Sequence, residues 1–185
     1  MLRIRLVGMM LIAVLAFTGV ASAHNFVAEK AGAVKRISNT NQTFTTGAGI
    51  GVVCTTVAVN NANAVAGKQL TLLADVSYTG CKVLGIFNAT VTTAKYLFSA
   101  DETVNVENTI VISVPVAGCT ITVLPQNNLL KVKYKNNGAN VVVEANVHSI
   151  RSHGSGGECG TGTTSTGTYT GNTEVGSTGQ TVSWE

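Results

Sequence analysis

Leu130-Lys131-Val132-Lys133-Tyr134-Lys135-Asn136-Asn137-Gly138-Ala139-Asn140-Val141-Val142-Val143-Glu144-Ala145 is the stretch on which the fold of this chain turns. Apolar and charged residues alternate up to an Asn-Gly pair, and a β-branched run follows it. Period two is the period of a half-buried strand, and Asn-Gly is the strongest short hairpin signal because both central residues accept positive φ. With Asn137-Gly138 as the two-residue turn, Tyr134 faces Val141, Val132 faces Val143 and Leu130 faces Ala145. On the other face Lys131 meets Glu144 and Lys133 meets Val142. One face is apolar and the other carries an opposite-charge pair, so pattern and turn agree on a hairpin over residues 128–150.

The same alternation spreads outward. Leu70, Leu72, Ala74, Val76 and Tyr78 share a face, as do Cys119, Ile121 and Val123. Strands are predicted over 50–59, 69–79, 89–98, 109–114, 119–124, 167–175 and 180–184, with turn signals at 60–63, Thr79-Gly80, Ala117-Gly118 and Gly176-Ser177. Residues 154–167, rich in Gly, Thr and Ser, read as a flexible loop holding Cys159. Short, regularly spaced strands predict an all-β chain, an antiparallel β-sandwich with a small β-barrel as the alternative.

At the N-terminus, Arg3 and Arg5 precede an apolar run and Ala21-Ser22-Ala23, the order of a cleavable helical signal peptide. The expected division is a signal peptide at 1–23 and one all-β domain at 24–185, secreted to the extracellular space or cell surface. The apolar run is shorter than the ~20 residues a spanning helix needs, so no membrane insertion is expected after cleavage. Removing Arg3 and Arg5 leaves 10 basic against 9 acidic residues, a net charge of +1. The chain is 45% hydrophobic, 11% charged and 5% aromatic, with mean hydropathy +0.30. That composition excludes general disorder and argues against a coiled coil or a nucleic-acid binder.

Export makes Cys54, Cys81, Cys119 and Cys159 readable as two disulfides, although spacing leaves all three connectivities open. His148, His153 and Glu158 form an H-x₄-H-x₄-E array, the candidate for a metal, but the histidines lack the spacing of a preorganised site. His24, the residue exposed by cleavage, has no second ligand motif beside it. Asp75, Asp101 and Glu102 are the carboxylates a small hydrolase would use, yet no Gly-x-Ser-x-Gly turn accompanies them. Gly47-Ala48-Gly49-Ile50-Gly51 lacks the Lys-Ser/Thr of a phosphate loop. Tyr78 and Tyr134 face the core by parity, which leaves Tyr169 and Trp184 as candidate exposed rings for a sugar face.

Taken in order, Phe44, Gly49, Cys54-Thr55, Tyr78-Thr79-Gly80-Cys81, Cys119-Thr120-Ile121-Thr122-Val123, Pro125-Gln126, Gly157, Cys159, Tyr169 and Gly171 resemble a family of exported bacterial β-proteins of unknown function. Its members often carry a further cysteine pair in mid-domain, which residues 94–107 lack here. The resemblance implies the pairing Cys54–Cys81 and Cys119–Cys159 and supplies no activity, ligand or catalytic residue.

The expected function is a secreted, non-catalytic structural or binding protein, with no cofactor. A carbohydrate-binding module or small secreted hydrolase is the alternative, and a self-assembling surface or filament subunit a third. The partners implied are a cell-envelope or extracellular polysaccharide, or further copies of the chain.

Overall fold

Val, Ile and Thr at every second position stiffen the backbone into extended conformations, and no long stretch of helix formers competes with them. The computed structural model describes residues 24–159 and 161–185, without the Glu158 side chain; the leader assigned to 1–23 lies outside the described residues. The first strands are β1 (Phe26–Ala28), β2 (Gly32–Asn39), β3 (Gln42–Thr45), β4 (Gly51–Asn60), β5 (Ala62–Ala64) and β6 (Gly67–Gln69). Next come β7 (Thr71–Val83), β8 (Phe87–Val91), β9 (Ala94–Ser99), β10 (Thr103–Val106), β11 (Ile110–Val114) and β12 (Cys119–Val123). The last are β13 (Gln126–Leu130), β14 (Val132–Asn137), β15 (Asn140–Ser155), β16 (Gly162–Ser177) and β17 (Val182–Trp184). Short 3-10 turns at Pro115–Ala117 and Gly157–Cys159 are the helical elements among the described residues.

Eight strands close an antiparallel barrel in the order β7-β4-β3-β16-β15-β12-β11-β8, with β8 returning to β7 through Cys81↔Ala89, Lys82↔Asn88 and Val83↔Phe87. Closure removes the open edges that two stacked sheets would leave. The pairings therefore support the barrel given above as the alternative, and the sandwich is not confirmed. Further strands extend the wall: β9, β10 and β13 from β7, β14 from β15, and β2 with β5 from β16. A separate three-stranded sheet, β17-β1-β6, completes the set.

Three of the long strands change partner along their length. β7 pairs with β9 over Thr71–Val76 and with β8 over Cys81–Val83; β15 passes from β14 to β12, and β16 from β3 to β2. Between these segments the inward face slips by one residue. Buried positions step from Cys54 to Val57 in β4 and from Val147 to Ile150 in β15, and β7 takes the same step between Tyr78 and Cys81. In β15 Ser149 (φ 62°) marks the extra residue of a bulge against β16, whereas Thr55 of β4 and Gly80 of β7 (φ 63°) leave their ladder together and the register continues unshifted.

The hairpin exists, with its turn displaced by one residue. Gly138-Ala139 forms the loop between Asn137 and Asn140, and Gly138 alone has positive φ (60°), as in a type II′ turn. Tyr134 consequently faces Val143, Val132 faces Ala145, and Lys133 faces Glu144 in place of Lys131. Lys135 Nζ reaches Glu144 at 2.7 Å. Leu130 does not face Ala145: Lys131 adopts φ 75°, breaks the strand, and leaves Leu130 64% exposed opposite Thr103. Leu70 also departs from its assigned face, lying 60% exposed in the bend before β7. Residues 154–167 are mostly strand, because β15 runs to Ser155 and β16 starts at Gly162, with Gly154 paired to Gly162.

Both disulfides form, Cys54–Cys81 between directly paired residues of β4 and β7, and Cys119–Cys159 from β12 to the connection of β15 and β16. In that connection Gly157 has φ 45°, and an added Cβ would strike the Ala117 carbonyl oxygen. Backbone strain and collision both oppose a side chain there, so Gly157→Ala is expected to destabilise the fold by more than about 1 kcal/mol. A lowered urea midpoint is the measurement; an unchanged one contradicts this packing.

Candidate functional site

Inward-facing residues of a small barrel are mostly Val and Ala here, and such short side chains leave the axis incompletely filled. The result is an interior cavity of about 170 Å³ walled chiefly by apolar side chains, Val52, Val76, Ile112 and Val123 among them. The three-stranded sheet supplies Phe26, Ala28 and Val182 to the same wall.

Among the described residues eight polar side chains interrupt this lining: Gln42, Tyr78, Tyr96, Tyr134 and Tyr169, together with Gln69, Thr173 and Ser183. Gln42 is 2% exposed, and its Nε2 donates to the carbonyls of Thr40 (2.8 Å) and Asn172 (3.1 Å). That fixes Oε1 toward the interior, where it accepts from the Tyr169 hydroxyl at 2.6 Å. With the Tyr169 proton so used, its 3.3 Å contact with Tyr78 must run from Tyr78 to Tyr169. The 3.0 Å contact with Tyr96 then runs from Tyr96 to Tyr78, giving one directed chain that ends on Gln42. Burial pushes the Tyr96 phenol up to about 12 and raises Tyr78 and Tyr169 well above the ordinary range; at Tyr78 the neighbouring phenols add to it.

Tyr134 stands apart from that chain. It is 4% exposed, its ring meets Phe26 edge-on at 4.9 Å, and Trp184 lies 5.9 Å away. Its hydroxyl is buried and has no hydrogen-bond partner among the described residues. Burial raises its pKa above the ordinary tyrosine value, with Asp101 and Glu102 adding to the rise.

The other candidate residues fall elsewhere. Tyr169 lines the cavity from inside, and no open ring platform forms there. Trp184 is stacked on His24 at 4.2 Å and its Nε1 donates to the Ala100 carbonyl at 3.1 Å. His148 bonds Asn146 (3.1 Å) and His153, in β15 and not in a loop, bonds Thr163 (3.2 Å); the Glu158 side chain lies outside the described residues. Among the described residues no group of three His, Cys, Asp or Glu side chains is placed to hold a metal. Asp75 accepts from Asn61 at 2.7 Å opposite Lys95, whereas Asp101 holds Thr103 in the turn beyond the far end of β9. The three candidate carboxylates are therefore not brought to one place. Reading the sequence located Tyr78 and Tyr134 on the inner face but missed Gln42 and Tyr96.

Comparison with known proteins finds no matching family model, no matching curated protein and no matching solved structure.

Proposed function

We propose that the protein is a secreted, non-catalytic binding protein that holds a small apolar molecule inside its barrel. The observation that carries this reading is the apolar cavity of about 170 Å³. An apolar void of about 150 Å³ stays dry and takes up benzene, so the space suits a guest of roughly one ring. Concave, mostly apolar sites with a few fixed polar groups are the usual form of a small-molecule site, and barrel interiors are a common location. Two disulfides are compatible with an oxidising compartment outside the cell.

Toluene titration tests the reading. Saturable shifts of amide resonances on β4, β7 and β16, with a thermal midpoint that rises with toluene concentration, are expected. Resonances and midpoint that stay fixed as toluene approaches its solubility overturn it.

A further inference from the structure

We propose that the Tyr134 hydroxyl is the polar anchor of the cavity, and that the ligand is a neutral, single-ring apolar molecule carrying one hydroxyl or carbonyl group. This rests on the binding reading above. Three of the four tyrosines satisfy one another in the chain ending at Gln42, so their hydroxyls are already engaged. Tyr134 lines the same cavity with a buried hydroxyl that has no partner among the described residues. A buried polar atom without a partner is costly, and native structures hold few of them. The cost is recovered when a guest brings the missing partner, since a phenol both donates and accepts.

Two features narrow the guest. The surrounding wall is apolar, so an ionised group would lose its hydration without compensation. Asp101 and Glu102 act electrostatically on Tyr134, and their negative charges oppose a carboxylate ligand at this point. A neutral oxygen on an otherwise apolar ring fits both. The Phe26 ring, edge-on to Tyr134 at 4.9 Å, offers the guest an aromatic neighbour from β1.

Phenol and toluene are the probes, titrated into the wild-type protein and Tyr134→Phe, with binding read from amide shifts. Wild type is expected to bind phenol at least as tightly as toluene. Tyr134→Phe is expected to weaken phenol about tenfold and leave toluene within about twofold. The substitution removes one oxygen from an unpartnered site, so the ligand-free unfolding midpoint should hold or rise. Equal affinities for phenol in both proteins, with toluene still bound, overturn the anchor and leave the binding reading standing. Failure of both probes in both proteins overturns the binding reading, and the anchor with it.

Discussion

Removing the Cys119–Cys159 bridge with the paired substitutions Cys119→Ser and Cys159→Ser is expected to lower the unfolding free energy by about 4 kcal/mol. The Cys54–Cys81 pair should cost slightly less, about 3.5 kcal/mol, because its loop spans 27 residues against 40. These are large fractions of the roughly 5–15 kcal/mol that holds an ordinary domain together. They matter more here because of what fills the core. Val and Ala predominate among the buried residues, each burying less apolar surface than Leu or Phe, and the cavity forgoes further contacts. A barrel closed by contacts between distant segments also has much chain entropy to overcome, which a cross-link reduces in advance. Urea unfolding of wild type, each paired variant and the fully reduced protein is the measurement. Midpoints for the paired variants within error of wild type would mean that the strand ladder alone carries the fold.

How much of this was legible in the sequence depended on whether the two faces of a strand differed. Residues 119–124 alternate clearly and become β12, and the β-branched run at 50–59 becomes β4 within a residue although its alternation breaks at Thr55-Thr56. Residues 89–98 read as one strand and are two, because Thr92 turns aside to exchange bonds with Val111, its Oγ1 accepting from that backbone N–H. Threonine favours strands, so no local signal marks the break. The tract 154–167 failed in the opposite sense: its glycines suggest a loop, yet pairing along β15 overrides their weak propensity. Barrel closure was hidden because it depends on β7 changing partner from β9 to β8, and Gly80 between the two segments reads equally well as a turn. In the site, parity placed Tyr78 and Tyr134 inward. Gln42 becomes meaningful only beside Tyr169, 127 residues away, a pairing no local pattern announces.

The buried tyrosines make the fold sensitive to alkali, and this sets the second large effect. An unfolded tyrosine titrates near pH 10, whereas burial holds the Tyr96 proton up to about 12 and raises Tyr78, Tyr134 and Tyr169 in the same direction. Below about pH 10 both states keep these protons, and the stabilisation is fully present. Above it the unfolded chain releases protons that the native barrel retains, so stability falls with rising pH until the folded groups titrate in turn. Each retained proton contributes a slope of about 1.4 kcal/mol per pH unit, so several phenols together cost several kcal/mol between about pH 10 and 11. Urea midpoints should therefore hold steady up to about pH 9.5 and then drop steeply. Phenolate absorbance should appear together with unfolding and not before it. Tyr96→Phe should make the decline shallower by about one proton, since it removes one retained phenol while leaving the Tyr78–Tyr169–Gln42 contacts in place. Tyrosines that ionise near pH 10 in a protein still folded would mean that water reaches the hydroxyl chain, and the interior would then be wet and unsuited to an apolar guest.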